Sequence, residues 1–375
     1  GYRAKKKYHR LKNGDCIDFS DSASLETVSA MLDNLKVPLD SLVKDKISVP
    51  LYRAMYLDKM LEDHDDIAQN RDRTFRSLIK EFKTIDDSDF DVPDSLNDTM
   101  REYQKYGYKW IRALSQYGFG GILADDMGLG KTLQVIAVLL AEKQTASTTS
   151  LVVCPASLVY NWQEEFTRFA PEITTATVDV LITSYGLLKR DAVYYKSHKF
   201  RWQIADEAQF IKNPKSSAAK AVKIINSNRR IALTGTPIEN RLSEMWSIFD
   251  FLMPGFLFKY DEFRTKFETP IAKSHDADAT ERLQKMVAPF ILRRLKKDVL
   301  KDLPDKIEEV RYAKLEGEQR KLYDAQVLHM QKMLEMPAEE LSKSRIQVLA
   351  ELTKIRQICC DPSLLSIDYN GESAK

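Results

Sequence analysis

The sequence predicts an α/β fold: a parallel sheet among helices from about residue 96, preceded by a smaller, mainly helical N-terminal domain carrying a β-hairpin. Three observations predict it. Short, fully apolar runs alternate with helix-patterned stretches, and strands of that kind belong to parallel sheets buried on both faces. The turn Asp125-Asp126-Met127-Gly128-Leu129-Gly130-Lys131-Thr132 joins one such run to a helix pattern. The first 95 residues read differently, as charged helical stretches separated by turn signals.

In chain order, Tyr8–Leu11 and Asp15–Phe19 flank Lys12-Asn13-Gly14, which predicts a hairpin around an Asn-Gly turn. Helical patterns cover Leu51–Leu61 and Phe75–Phe82, and the acidic run Asp86–Pro93 reads as a linker. Strands are expected at Gly120–Ala124, Leu151–Cys154, Val178–Ile182, Trp202–Ala205 and Arg230–Leu233, with a helix at Thr132–Glu142. After Pro254-Gly255 the chain turns mostly helical. Lys306–Ala313 is strand-like, and Glu318–Met336 and Pro337–Ile358 are long amphipathic patterns. No internal repeat is visible.

A length of 375 residues suits two or three domains. Apolar content of 43% and charged content of 30% suit a soluble globular chain. A net charge of +2 excludes a basic protein that coats DNA, so any nucleic-acid contact must be local. The cluster Arg3, Lys5, Lys6, Lys7, Arg10 reads as a solvated face or a domain junction. Cys16, Cys154, Cys359 and Cys360 lack zinc or redox spacing, and the five histidines add no metal signature. Free thiols point to a reducing cytosol. The start of the chain has no apolar signal-peptide core, and no run approaches the roughly 20 apolar residues of a membrane span.

The turn at 125–132 carries the first chemical signal. Gly128, Gly130, Lys131 and Thr132 lie between strand and helix, where backbone N–H groups and the positive helix end cradle phosphate. Lys131 would reach the outer phosphates and the Thr132 hydroxyl would ligate Mg²⁺. Asp125 stands where the strict pattern has its first glycine; a glycine-rich turn with a surface lysine also fits that stretch taken alone. Asp206-Glu207-Ala208-Gln209 follows an apolar strand, at the end that faces the ligand crevice of a parallel sheet. Asp206 would hold Mg²⁺ and Glu207 would orient the attacking water. Thr234-Gly235-Thr236-Pro237 offers hydroxyls that could sense the outer phosphate, or a capped turn. Gln104 lies about 20 residues before the loop, and its amide could read an adenine edge.

Together these elements resemble helicase superfamily two, and more closely its SWI/SNF-type branch, in a bacterial form. Leu123–Gln134 is similar to that family's motif I, Val153–Val159 to Trp162 to motif Ia, and Ile182–Tyr185 to motif Ib. Asp206–Asn213 resembles motif II and Leu233–Asn240 motif III. Phe290–Arg294, Leu303–Lys306 and Ile355–Pro362 also match, so the resemblance covers about 96 to 365. It implies ATP and Mg²⁺ as cofactors, double-stranded DNA as partner, and two RecA-like lobes with helical protrusions that translocate along duplex. It carries Asp125, Met127, Gly128, Leu129 and Gly130 into the ATP site with Lys131 and Thr132. It gives Pro155, Ala156, Ser157, Thr183 and Ser184 as DNA-backbone contacts, and Thr234, Gly235 and Thr236 as coupling residues. The expected organisation is 1–95 a helicase-associated region, 96–255 the first lobe, 256–304 a helical protrusion and inter-lobe connection holding Arg293 and Arg294, and 305–375 the start of a second lobe. A monomer, cytoplasmic and nucleoid-associated, with a protein partner possible, completes the expectation.

Two departures stand out. Motifs V and VI, with their arginine fingers, are not among these residues, so weak ATP binding and poor hydrolysis are expected of residues 1–375 alone. Between motifs Ia and Ib, at 171–178, about 20 residues usual in the family are missing, which would remove a central or edge strand unless an intervening loop was left out. A strand-separating helicase and a non-catalytic binding scaffold are the competing readings. The Lys212-Asn213 tail and the helices after 315 speak against the first, and intact Lys131, Asp206 and Glu207 against the second.

Overall fold

The computed structural model describes residues 8–10, 16–18, 50–62, 71–85, 88–143, 148–175, 179–235, 241–300, 309–310, 312–335, 345–365, 369, 371 and 373–374. It divides into two compact units, Gly1–Lys301 and Asp302–Lys375.

The first unit is built on six parallel strands: β3 (Gly121–Leu123), β4 (Ser150–Cys154), β5 (Val180–Ser184), β6 (Lys199–Ala205), β7 (Asn226–Leu233) and β8 (Ile291–Leu292). Their order is β5-β4-β6-β7-β3-β8. All five expected strands are present. The sixth, β8, was expected only as part of an inter-lobe connection; it pairs with β3 through Ile122↔Ile291 and Leu123↔Leu292. Two residues are too short for a periodicity signal, so only their position after the buried Phe290 hints at a strand. Because every strand runs the same way, the segments leaving Leu123, Cys154, Ala205 and Leu233 emerge on one rim. That rim is where ligands bind in α/β sheets.

The shortened link between β4 and β5 leaves the sheet continuous. β5 stands at its edge, paired with β4 from Ser150↔Val180 to Cys154↔Ser184. Thr174 N and Oγ1 both donate to Asp179 Oδ2, at 2.9 and 2.8 Å, and Val180 N donates to Thr174 O, which holds Thr174 against the start of β5.

Among the helices, α1 (Ala54–Glu62) and α2 (Arg73–Lys83) match the two N-terminal helical patterns. Asp72 caps α2 by accepting from Phe75 N at 2.7 Å. Tyr56, Leu78 and Ile79 are buried in the same apolar cluster as the sheet. The compact division thus falls at 301/302, near the expected start of the second lobe, and these helices share the first lobe's core. β1 (Tyr8–Arg10) and β2 (Cys16–Asp18) pair antiparallel, as the hairpin reading expects. The register runs from Tyr8↔Asp18 to Arg10↔Cys16, either side of the Asn13-Gly14 stretch. The turn itself lies outside the described residues, as do residues 86 and 87 of the acidic linker.

The functional rim is completed by α3 (Glu102–Gln116), α4 (Lys131–Ala141), α5 (Val159–Phe169), α6 (Tyr185–Arg190) and α7 (Leu242–Leu252). In the second unit, α8 (Gly317–Leu334) and α9 (Arg345–Cys360) pack side by side. Gln319 Nε2 donates to Ile358 O at 2.8 Å, and Gln326 bonds Glu351. Of the expected strand over Lys306–Ala313, the described residues Glu309, Val310, Tyr312 and Ala313 are irregular, with Val310 and Tyr312 open to solvent; the others lie outside the described residues. Residues 301–308 and 336–344 are outside the described residues.

Candidate nucleotide site

The loop between β3 and α4 takes its shape from two glycines in left-handed backbone, Gly128 (φ 85°) and Gly130 (φ 73°). At Gly130 a Cβ would also collide with the Gln104 amide. Leu129 between them is fully buried and pins the loop, whereas Met127 is 57% exposed. Lys131 opens α4 and folds back over the loop, donating from Nζ to Asp125 O at 2.8 Å and Asp126 O at 3.4 Å. Burial lowers its ammonium pKa; Glu207, Asp125, Asp206 and Asp126 oppose that shift. Thr132, second in the helix, is half-buried on the same turn. The loop therefore offers a glycine-shaped backbone, a helix start and one ammonium, the set that binds polyphosphate.

Asp206 follows β6 and is buried. Its Oδ2 accepts from Trp162 Nε1 and its Oδ1 from Glu207 N, both at 2.8 Å. Burial raises its pKa, with Glu207 adding to the rise; the two hydrogen bonds and Lys131 work the other way. Glu207 sits at φ 48°, ψ 58°, a left-handed conformation unusual for a residue with a side chain. Such strain concentrates where a side chain must be aimed. Gln209 Nε2 donates to Glu207 Oε2 at 2.7 Å, and Gln209 Oε1 accepts from Thr234 Oγ1 at 3.3 Å. One amide thus ties the carboxylate after β6 to the hydroxyl after β7. Gly235 lies against the loop: a Cβ there would come within 2.7 Å of Met127 Cγ and 3.5 Å of Lys131 Nζ. Thr236 is outside the described residues.

Gln104 is brought to the loop, yet its amide is engaged locally. Its Oε1 accepts from Arg101 N at 2.9 Å, closing the start of α3, and its Nε2 donates to Leu129 O at 3.1 Å. Asp125 is at the site, but its buried carboxylate faces a guanidinium rather than the open side of the loop. Arg294 Nε donates to Asp125 Oδ1 at 2.9 Å, and Arg294 Nη2 bonds Asp125 Oδ2. Sequence reading missed Arg294, Gln134, Trp162 and Gln209 as contributors here. The one usable signal was a pair of arginines directly after an apolar Phe290-Ile291-Leu292.

On the same rim, Pro155 precedes a single 3-10 turn in which Ala156 and Ser157 are exposed. Thr183 and Ser184 end β5 nearby but are buried, with both hydroxyls used internally. Tyr195 OH bonds Thr183 Oγ1 at 2.9 Å, and Ser184 Oγ caps α6 by accepting from Leu187 N at 3.2 Å.

A divalent cation fits this donor set only alongside a ligand. Among the described residues no group of three His, Cys, Asp or Glu side chains could hold a metal. Asp206 and Thr132 supply few oxygens, which suits Mg²⁺ shared with phosphates and water rather than caged by protein. No helix among the described residues is long and apolar enough to cross a membrane.

Comparison with known proteins agrees with this geometry. Residues 103–364 match the SNF2-related domain, and residues 1–93 match the family described as bacterial SNF2 helicase associated. An uncharacterized ATP-dependent helicase of Mycoplasma genitalium is 42% identical over 278 residues, covering 69% of this chain and 26% of that protein. A putative ATP-dependent helicase/translocase of Bacillus subtilis is 37% identical over 319 residues, covering 78% of this chain and 34% of that one. Among solved structures, the Sulfolobus solfataricus SWI2/SNF2 ATPase core in complex with double-stranded DNA is 42% identical, with a TM-score of 0.54 over 76% of this chain and 63% of the other. The chain spans about a quarter to a third of these curated relatives. The sheet is that of the RecA-like ATPase core, and the chain belongs to the SNF2-related domain family.

Proposed function

We propose that residues 1–375 form the nucleotide-holding part of an ATP-driven motor that moves along double-stranded DNA. The observation that carries this reading is the convergence of Lys131, Asp206, Glu207 and Gly235 on one rim of a parallel sheet. ATP would dock its phosphates on the amides of 128–132, and Lys131 would exchange its loop carbonyls for the outer phosphates. Thr132 and Asp206 would hold Mg²⁺, which neutralises charge on the phosphates when bound. Glu207, aimed by its left-handed backbone, would orient the attacking water. Gln209 would pass any shift of Glu207 to Thr234, a route from the hydrolysis site to the segment after β7. Gln104 would exchange its contacts to Arg101 N and Leu129 O for the edge of the base.

For DNA, the exposed Pro155–Ser157 turn is the side-chain contact in this reading. Thr183 and Ser184 would act by shaping the end of β5. Backbone contacts of this kind position a motor without reading sequence and make binding salt-sensitive. The Sulfolobus solfataricus core was solved in complex with double-stranded DNA, which supports duplex as the substrate class.

ATP turnover by the protein against duplex length tests the proposal. Turnover that rises with duplex length and releases no single strands supports translocation. Release of separated strands would favour a strand-separating helicase instead, and nucleotide binding unaltered by Lys131→Ala would favour a scaffold.

A further inference from the structure

The strict phosphate-loop pattern begins with glycine, and here that position is Asp125, fully buried. A buried carboxylate is tolerated only when paired and hydrogen-bonded. Its partner comes from 169 residues away. Arg294 forks onto both oxygens of Asp125, and its remaining N–H groups bond Tyr103 O and, at 2.8 Å, Gln134 Oε1. Its guanidinium also stacks near the Tyr103 ring, 5.3 Å from the centroid. Gln134 closes the cluster from α4, donating to Asp125 Oδ2 at 3.3 Å and Gly130 O at 3.2 Å.

The backbone around Arg294 joins in. Ala124 N donates to Leu292 O at 2.7 Å, Asp126 N to Arg294 O at 3.0 Å, and Lys296 N to Asp126 Oδ2 at 3.0 Å. Residues 292–296 therefore run beside 124–126 like an added strand and bind the loop's first half along its length.

A separate feature points to the same cluster. Gly107 lies inside α3, where glycine costs about 1 kcal/mol relative to alanine. A Cβ at 107 would overlap Gln134 Oε1 and come within 2.9 Å of Arg294 Nη2. The helix gives up that stability to make room for the Gln134 amide and, beside it, the guanidinium it accepts from.

We propose that Arg294 is a positioning residue for the nucleotide phosphates: seated in the notch at Gly107 and forked onto Asp125, it fixes the phosphate loop in its binding shape. Asp125 is then the loop's handle, and the segment 291–296 is the hand that holds it. The proposal rests on the ATP-binding reading above.

Titration of the 1–375 chain with ADP, pyrophosphate and adenosine, alongside thermal unfolding, tests it. Lys131→Ala serves as the control for that reading. Arg294→Gln and Gly107→Ala are expected to weaken ADP and pyrophosphate binding by about tenfold, the lower range for lost supporting contacts, and to leave adenosine binding unchanged. Asp125→Asn combined with Arg294→Gln should weaken binding less than the sum of the two singles, because the pair acts as one unit. Arg53→Met, which removes a buried arginine remote from the loop, should lower the melting temperature without changing ADP affinity. Arg294→Gln and Gly107→Ala proteins that melt lower yet bind ADP and pyrophosphate like the wild type would overturn the proposal while leaving ATP binding intact. Equal binding by Lys131→Ala would instead overturn the reading beneath it.

Discussion

The two ends of the sheet each hold a buried cluster of charge, and they are built to different ends. At the rim where β3, β6 and β7 finish, Lys131, Asp206 and Glu207 share a site with a glycine-shaped loop. At the opposite end, Glu142, which follows α4, gathers Arg112 and Arg201 at 3.8 Å and Arg229 at 3.9 Å. Trp202 Nε1 donates to Glu142 Oε2 at 2.9 Å, and Arg201 Nη1 to Glu142 O at 2.8 Å. Charge and burial are common to both, so neither marks function. The difference lies in how the backbone is used: in the upper cluster the left-handed residues Gly128, Gly130 and Glu207 shape the site itself. It alone holds its ammonium on loop carbonyls that a phosphate could replace. The lower cluster bonds inward to indole and carbonyl groups.

The sharpest way to break this contrast is to remove one charge from each end. Lys131→Ala should reduce nucleotide affinity on the order of a hundredfold or more, since charge-assisted contacts to phosphate are the strong ones. Its stability should hold or rise, because burial already disfavours that ammonium. Glu142→Ala should do the reverse. Three arginines lose their shared carboxylate, and urea unfolding should report a loss on the order of 3 kcal/mol, with nucleotide affinity of the folded protein unchanged. A Glu142 variant that folds normally but no longer binds nucleotide would collapse the distinction.

A pH series sharpens it further. Burial holds the Asp206 pKa above the ordinary aspartate value, so its carboxylate is lost earlier on acidification than that of an exposed aspartate. Mg²⁺-dependent nucleotide binding should therefore fall as pH drops through that raised pKa, and Asp206→Asn should flatten the dependence. The effect on stability has the opposite sign. A group whose folded pKa is raised contributes stability fully below its unfolded pKa and loses it as pH rises through the folded one, so neutral pH carries the burial cost of Asp206. The smallest effect belongs to the link between strands. Gln209→Ala should cost about 1 kcal/mol of stability and leave ADP affinity within about twofold, since the amide touches Glu207 and Thr234 rather than the loop.

Much of the upper rim was legible in the sequence for a physical reason. Local chemistry announces it: glycines at a strand end, a lysine at a helix start, and carboxylates after an apolar run all lie within short windows. The five longer strands were legible for the same reason. What stayed hidden depends on distance along the chain. Arg294 meets Asp125 across 169 residues, and Trp162 meets Asp206 across 44. No window spans such pairs. β8 is too short to carry a period. Thr183 and Ser184 show the opposite limit. Their motif position was readable, but the sequence could not tell that both hydroxyls turn inward.

The claim beneath all of this is that the loop at 125–132 holds the phosphates of ATP. Amide hydrogen exchange on the 1–375 chain, with and without Mg²⁺ and ATP, reads that loop directly. Nucleotide should slow exchange at Met127–Gln134 in the wild type and leave the same amides unchanged in Lys131→Ala. Protection confined to other segments, or equal protection of the loop in Lys131→Ala, would contradict the account.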